Sequence, residues 1–478
     1  MRKTIATTII CVFALLLFTL TACNNQDPTP TQQYTLDELL NIAHERRLAI
    51  RPPDYQWILD EFRSRERAMP FQPDSDGNRA VSLLYITTQG AIDDIMLLFH
   101  VLRSSYGPYI YFGGDDVFFP VRDSLIAEIQ DAVNDNGEMR TTEFHRIVLA
   151  GLRSVINDNH FTFGGSTVGQ SATFFTSDTP FDRNEQGFWH RESGQRVIEI
   201  EGHDMYRVLR VSMDERANVF YSAVIYTLEP AGLPRRTIYL VFEDGGRYGL
   251  VLQRHTPARM PHEPTRLEWV EGVAVVTVRH MGSTFAWPDL TPEQNRRMIA
   301  DTQTFLSFAE ELRDEPVVVL DIRGNPGGDN SPSEEFLRRL TRRMIPANHT
   351  LLQIMSPTVA FIAGFARDGP LVENNQLIIL LVDTQVSSAT EWLTDWLLSM
   401  ENTLIIGHNT SGTFIAPGVF QDGSVLLPNS RFHLGFGSAM FIHPQNLFAE
   451  GVGFAPDIWI HGDALVAALS LIDSNFDD

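Results

Sequence analysis

Residues 317–329, VVVLDIRGNPGGD, decide the fold of this chain, because an apolar run breaks abruptly into a glycine-rich loop. The run from Val317 to Ile322 is almost wholly apolar, as strands of parallel sheets are when both of their faces are buried. A second run of this kind, Leu377 to Val382, lies downstream. Because α/β sheets form their sites at the carboxyl ends of strands, the loops after these two strands are expected to meet. They would bring Gly327-Gly328 next to Ser388.

The pattern around these two strands predicts an α/β core at residues 266–478. Short apolar runs alternate there with segments of helical character, which is typical of βαβ units and a mainly parallel sheet covered by helices. The further predicted strands are Val273 to Val278 and Leu404 to Ile406, and the predicted helices are Pro292 to Arg313 and Glu391 to Met400.

Two further regions precede this core. Residues 36–165 form a predicted helical domain, in which Phe144, Val148 and Leu152 recur at the spacing of one helix face. Residues 166–265 read as a small β-rich module, with a hairpin from Thr237 to Phe242 and Tyr248 to Leu252.

The amino terminus predicts export and lipid anchoring. A basic start is followed by a mostly apolar run from Ile5 to Leu20, which is typical of a signal peptide spanning residues 1–22. The ending Leu20-Thr21-Ala22-Cys23 resembles the lipobox of bacterial lipoproteins, in which the cysteine is lipidated, for example with palmitate. Residues 23–35 would then be a flexible tether on the extracytoplasmic side of the cell envelope. An uncleaved membrane anchor is the alternative.

Composition excludes several classes of function. The formal net charge of −23 argues against a nucleic-acid partner, since phosphate binding needs a basic face. Lys3 is the only lysine and lies in the signal segment, so a lysine base, a Schiff base and a phosphate-binding loop lysine are excluded from the mature chain. No HExxH or CxxC spacing occurs, and no metal or other cofactor is expected. The adjacent Asp93 and Asp94 are expected on a solvated helix face.

Both loops at the ends of the two strands admit a catalytic and a structural interpretation. Backbone N–H groups of Gly327 or Gly328, together with that of Ala389, could stabilise an oxyanion, or the glycines could serve only as a turn. Ser388 could present a nucleophilic hydroxyl at a helix start, or could simply cap that helix with Glu391 three residues later.

Four segments, in order, resemble the C-terminal processing and tricorn-type serine peptidases. They are Asp321-Ile322-Arg323-Gly324-Asn325-Pro326-Gly327-Gly328, Ser388-Ala389-Thr390-Glu391, Ile406-Gly407 with Thr410 and Gly412, and Glu450-Gly451-Val452-Gly453 with Pro456-Asp457-Ile458. The resemblance implies a ClpP/crotonase-like core. In the processing branch a lysine acts as the base, but Thr413 stands at that position, so the tricorn-type branch is the better match.

By this resemblance Ser388 would be the nucleophile and His160 the base. Glu450 would orient the histidine, and Asn159 stands where the tricorn-type branch has a serine. Histidine is also the base that the chemistry favours once lysine is excluded, because its unperturbed pKa suits proton transfer. His408 and His443 are the rival bases.

The same resemblance extends less fully upstream. Val197 to Leu209 is similar to the strand, glycine and helix start of a PDZ-like domain, with Tyr206 to Val211 expected as a helix. The sequence thus predicts an exported, lipid-anchored serine endopeptidase acting on unfolded or C-terminally exposed polypeptides, a tail-specific protease. The alternative is a catalytically inactive peptide-binding or scaffolding lipoprotein on the same fold.

Overall fold

The computed structural model describes residues 34–64, 83–228, 234–261, 263–287, 290–356, 359–417, 423–444 and 446–476. The signal segment, Lys3, Cys23 and all but the last two residues of the tether lie outside these ranges, so the anchor stays a prediction. Within the described ranges, no helix combines the length and the apolar character that crossing a membrane requires.

Helices dominate the first part of the chain. They are α1 (Leu36–Leu48), α2 (Gln56–Ser64), α3 (Thr88–Ser105), α4 (Gly114–Ala132) and α5 (Thr141–Arg153), with the short antiparallel strands β1 (Tyr85–Thr87) and β2 (Glu138–Arg140) between them. Helix α5 buries Phe144, Val148 and Leu152, which confirms the predicted apolar face. Helices α2 to α5 share one apolar cluster, which also contains Phe161 and Phe163 at the exit from α5.

The expectation for Asp94 is wrong, because its side chain is fully buried. Its carboxylate accepts hydrogen bonds from the backbone and side-chain nitrogens of Asn429 and from the backbone N–H of Ser430, at 2.6–3.1 Å. Only Asp93 is exposed. A buried carboxylate requires such partners, and the bonds fix α3 to a turn more than 300 residues away.

The predicted module consists almost entirely of strands. Strand β3 (Thr162–Phe163) precedes the module and β13 (Arg266–Val270) follows it; the strands within it are β4 (Ser166–Thr167), β5 (Thr173–Thr176), β6 (Phe181–Asn184), β7 (Gly187–His190), β8 (Gln195–Ile200), β9 (Leu209–Asp214), β10 (Val219–Thr227), β11 (Arg235–Phe242) and β12 (Arg247–Arg254). The hairpin of β11 and β12 is confirmed. The helix expected at Tyr206 to Val211 is wrong in its second half: α6 (Met205–Val208) is a single turn, and Leu209 begins β9.

The C-terminal part alternates strands and helices as predicted, except that among the described residues of 350–382 and of 403–461 the strands follow one another without a helix between them. Its elements are β14 (Val273–Thr277), α7 (Pro292–Glu311), β15 (Val317–Asp321), α8 (Ser331–Thr341), β16 (Thr350–Ser356), β17 (Val359–Gly364), β18 (Leu377–Val382), α9 (Ala389–Leu397), β19 (Thr403–Gly407), β20 (Gly423–Leu426), β21 (His433–Phe436), β22 (Ala439–Ile442), β23 (Ile458–His461) and α10 (Ala464–Phe476).

Within the part of the chain that the structure describes, one sheet of 14 strands crosses the predicted boundary between module and core. Its order is β13-β14-β15-β18-β19-β23-β9-β10-β5-β12-β11-β8-β7-β6. The strands from β14 to β9 are parallel to one another and those outside them are antiparallel, so the sheet is mixed. The link between module and core is the parallel pairing of β23 with β9.

Helices cover both faces of the parallel strands. Residues of α7, α8 and α9 pack with β15 and β18 on one face. Residues of α10 pack on the other face together with α1, so the first helix of the predicted N-terminal domain lies against the core sheet. The mixed α/β architecture with N-terminal helices agrees with the prediction, whereas the PDZ-like character of the module stays a prediction.

Candidate active site

The loops after β15 and β18 meet, as the sequence predicts. These strands are adjacent and parallel. The backbone N–H of Ser387 donates to the Asn325 carbonyl at 3.2 Å, and the Ser387 hydroxyl donates to the Pro326 carbonyl at 2.7 Å. A β-carbon placed on Gly327 would lie only 2.8 Å from the Ser388 β-carbon. The glycine loop therefore lies directly against the serine loop, and only glycine fits at position 327.

The two glycines differ in what their backbone N–H groups do. The N–H of Gly327 donates to the Asn325 side-chain oxygen at 3.0 Å. Gly328 has a φ of +139°, and a β-carbon there would lie 1.7 Å from the Met281 carbonyl oxygen. Of the predicted oxyanion donors, the N–H groups of Gly328 and of Ala389, the first residue of α9, remain as candidates.

Ser388 has an unusual backbone conformation immediately before α9. Its φ of 55° and ψ of −123° match the first central position of a type II′ turn, which glycine normally occupies. A serine held there stores strain, and such strain concentrates at functional sites. The Glu391 carboxylate accepts a hydrogen bond from the Ser388 backbone N–H at 3.1 Å. The capping contact of Glu391 thus exists, but the Ser388 side chain has another neighbour.

That neighbour is His160, whose Nε2 atom lies 3.1 Å from the Ser388 Oγ. The structure therefore brings together the two predicted residues, 228 positions apart in sequence. Burial lowers the pKa of His160 to about 4. The Nδ1 atom is buried and has no hydrogen-bond partner among the described residues, although the Ala416 backbone acts on the ring to raise its pKa. At neutral pH the ring is uncharged and can accept a proton.

The turn that presents His160 is held by Asp158, which sequence reasoning did not single out. One Asp158 carboxylate oxygen accepts from the His160 backbone N–H at 2.8 Å, and the other accepts from the Tyr106 hydroxyl at 2.7 Å. Burial raises the pKa of Asp158 to about 6, against the lowering effect of these hydrogen bonds.

Glu450 contacts the same turn from a distant loop, but it binds backbone groups. Its carboxylate accepts from the N–H of Asn159 at 3.0 Å and from those of Phe414 and Ile415 at 2.9 and 2.8 Å. The Asn159 side chain donates to the Gly412 carbonyl at 3.0 Å. Burial, and after it the nearby Asp158 carboxyl, raise the pKa of Glu450 well above its usual value. Glu450 therefore ties the His160 turn to the 412–415 segment through amides, not through the imidazole.

Glu391 completes this arrangement from the other end of the same segment. Its carboxylate accepts from the N–H groups of Gly412 and Thr413 at 2.9 and 2.8 Å and from the Thr410 hydroxyl at 2.6 Å. Burial raises the pKa of Glu391 to about 7, although these donors lower it. Four successive backbone N–H groups, 412–415, are thus bound by two buried carboxyls. The sequence predicts Glu391 only as part of a helix cap and does not predict these contacts.

The two rival histidines have other neighbours. The Nε2 of His408 lies 3.1 Å from the Ile460 carbonyl, and its ring centroid is 4.0 Å from that of His255. The ring centroid of His443 is 5.2 Å from that of His349. Among the candidate histidines, His160 is the one whose ring contacts the Ser388 hydroxyl.

Comparison with known proteins identifies one family and several solved structures. The model of peptidase family S41 matches residues 272–460. The search of curated protein sequences found no match. Mature CPAF aligns at 13% identity over 81% of this chain and 96% of its own, with a TM-score of 0.42. The photosystem II D1 C-terminal processing protease aligns at 15% identity over 77% and 92%, with a TM-score of 0.35. The tricorn protease aligns at 12% identity over 82% and 36%, with a TM-score of 0.32.

Proposed function

Since the chain belongs to peptidase family S41 and is a serine-type peptidase, we propose that Ser388 is its nucleophile and His160 its general base. The observation that carries this proposal is the 3.1 Å separation of His160 Nε2 and Ser388 Oγ. This is hydrogen-bond reach, which a base needs in order to take the hydroxyl proton. The lack of any lysine other than Lys3 supports the choice of histidine.

Hydrolysis then proceeds through an acyl-enzyme. Ser388 Oγ attacks the scissile carbonyl carbon while His160 Nε2 takes the hydroxyl proton, and the negative charge on the carbonyl oxygen faces the N–H groups of Gly328 and Ala389. The C–N bond breaks, and the leaving amine receives the proton from His160. A water molecule repeats both steps, which releases the new carboxyl end and restores the serine.

Glu450 is a positioning residue in this mechanism. Its carboxyl accepts from the backbone N–H of Asn159, next in sequence to His160, and from that of Ile415, next in sequence to Ala416, whose backbone interacts with the His160 ring. One buried side chain therefore fixes the backbone next to His160 and the backbone next to Ala416. Asn159 contributes through its backbone N–H and through its side-chain bond to Gly412.

Labelling with a fluorophosphonate tests the nucleophile, and the chain offers a matched control. The wild-type protein is expected to be labelled at Ser388, the Ser388→Ala variant to remain unlabelled, and the Ser387→Ala variant to be labelled like the wild type. Ser387 is adjacent, but its hydroxyl donates to the Pro326 carbonyl. Labelling that persists in Ser388→Ala, or an unlabelled wild type with intact circular dichroism, would contradict the proposal.

The proposed substrate is an unfolded or C-terminally exposed polypeptide outside the cytoplasm, with the enzyme anchored by a lipid on Cys23. The lipobox-like sequence and the family resemblance support this assignment. Cys23→Ala is expected to abolish lipidation and to release the protein from the membrane fraction. Full membrane retention of that variant after signal cleavage would refute the anchor.

An inactive peptide-binding protein is the second candidate. It is favoured by the Nδ1 atom of His160, which has neither a carboxylate nor any other hydrogen-bond partner among the residues that the structure describes. This candidate predicts peptide binding of equal affinity in the wild type and in Ser388→Ala, without turnover in either protein.

A further inference from the structure

A second cluster of polar side chains lies within the apolar core, away from the serine. His349, Asp395 and His443 each offer one ligand atom, and the three atoms lie within 4.8 Å of one another. His349 precedes β16, Asp395 lies on α9, and His443 follows β22. No short motif links these residues in the sequence, so only the fold brings them together.

The hydrogen bonds of the cluster are incomplete. Asp395 Oδ2 accepts from the Asn348 backbone N–H at 2.9 Å and lies 2.8 Å from His349 Nδ1. Asp395 Oδ1 and His443 Nε2 are both buried, and neither has a hydrogen-bond partner among the described residues. The nearby Arg367 side chain bonds to Asn348 instead. An unsatisfied buried carboxylate oxygen destabilises the native state, so a simple pair of His349 and Asp395 leaves this arrangement unexplained.

We propose that His349, Asp395 and His443 form a binding site for a divalent cation of the zinc type. Two imidazoles and one carboxylate are a ligand set that Zn²⁺ accepts, with the fourth position open to water. A cation would satisfy both the free Asp395 oxygen and the free His443 nitrogen. Ligand atoms about 2.1 Å from a tetrahedral zinc lie roughly 3.4 Å apart, so separations that reach up to 4.8 Å in the structure must close by up to about 1.4 Å.

The surroundings of the cluster suit a structural cation. Aromatic rings pack against the two imidazoles: Trp392, Phe414 and Phe441 against His349, and Phe414, Phe448 and Phe454 against His443. Such an apolar shell limits access of water. A cleft of about 520 Å³, whose lining includes His443, Phe441 and Phe448, offers an entry route.

A bound cation would connect the start of β16, helix α9 and the end of β22. Phe414 packs on both imidazoles, and its backbone N–H binds Glu450. The cation would therefore stabilise the 412–415 segment, which Glu450 links to the His160 turn. The site is independent of the proposed peptidase mechanism, because none of its three ligands belongs to that mechanism.

Metal binding by the purified full chain tests the proposal. After chelation and dialysis, the wild type is expected to take up one Zn²⁺ per chain, measured by elemental analysis and titration calorimetry. Co²⁺ should give the visible absorption of a tetrahedral site without thiolate charge transfer. Zinc should also raise the midpoint of thermal unfolding, since it binds only the folded state.

Two cluster variants and one control complete the design. His443→Gln and Asp395→Asn should each weaken zinc binding by about 100-fold or more, because each removes a ligand. His190→Gln should bind like the wild type: the His190 ring also lies among aromatic rings with a buried, unpaired Nε2, but outside the cluster. A wild type that takes up no zinc, unchanged affinity in either cluster variant, or an equal loss in the control would overturn the proposal. The wild-type result decides alone if a cluster variant does not fold by circular dichroism.

Discussion

Replacing Ser388 with glycine should stabilise the chain relative to alanine at the same position. The φ of Ser388 is 55° and its ψ is −123°, a combination that glycine adopts without strain and alanine does not. Both variants lose the hydroxyl, so the contact with His160 cancels in the comparison. The difference between them therefore reports the backbone strain at this position.

The expected size follows from two opposing effects. Relief of a strained backbone is worth about 1–3 kcal/mol. Against this, glycine gives the unfolded chain more freedom, which costs about 0.4–1 kcal/mol relative to alanine. At Ser388 the glycine variant should thus be more stable by about 1 kcal/mol. At Ser387, which is not among the described residues with positive φ, the order should reverse by about 0.4–1 kcal/mol.

Urea unfolding of the four variants at positions 387 and 388 measures both differences. Their m-values should agree, because the substitutions are too small to change the surface exposed on unfolding. Neither peptide substrate nor metal is needed. If the glycine variant at 388 is less stable than the alanine variant by as much as at 387, the serine is not strained and the structural account of the nucleophile turn fails.

Three further predictions concern the same site. Because burial lowers the pKa of His160 to about 4, kcat/KM for a fluorogenic peptide should still be near its plateau at pH 5.5. A base with an unperturbed pKa of about 6.5 would leave roughly a tenth of the plateau value at this pH, so a loss of activity centred near pH 6.5 would contradict the burial effect. Gly327→Ala should reduce turnover by about 100-fold or more, because its β-carbon would lie 2.8 Å from that of Ser388. The control Gly202→Ala should retain activity, because Gly202 also has a positive φ but has open space around it. Similar activity in the two variants would show that crowding at position 327 does not affect the site. Burial raises the pKa of Glu391 to about 7, so between pH 4.5 and 7 the folded state keeps a proton that the unfolded state releases. The free energy of unfolding should therefore fall by up to about 3 kcal/mol as pH rises from 4.5 through 7. Urea unfolding of Glu391→Gln at pH 5 and 8 should lack this component, and an unchanged pH dependence in the variant would contradict the prediction.

Strong apolar patterns were sufficient to predict the centre of the fold. The parallel neighbours β15 and β18 followed from two almost wholly apolar runs, and the buried face of α5 from residues at helical spacing. Pairing between distant strands has no comparable local pattern. The sequence from Leu209 to Val211 suits a helix end or a strand, and one of the two partners of β9, the strand β23, lies about 250 residues downstream. Tertiary contact, rather than propensity, decides such a segment.

The site was predictable only where the chemistry lies in side chains. Ser388 and His160 were predicted from the resemblance of short segments to a known peptidase family and from the exclusion of lysine, and the structure places the two side chains in contact. The hydrogen bonds of Glu450 and Glu391 were not predicted, because their partners are mostly backbone N–H groups. Every residue except proline carries such a group, so no sequence pattern reveals which ones a carboxyl binds. The burial of Asp94 was missed for the same reason, because part of its partner set is backbone as well.

The pairing of β23 with β9 has a consequence for anyone who wishes to trim this chain. Residues 166–265 are not an independently removable domain, because the backbone of Ser212, Met213 and Asp214 pairs with that of Trp459, Ile460 and His461 in the same sheet. Removing residues 166–265 would leave the backbone groups of β23 without their partners in β9, and an unpaired strand edge tends to pair with strands of other molecules. Backbone hydrogen bonds therefore join the module to the core, and a shortened protein would tend to pair its exposed strand with a strand of another molecule.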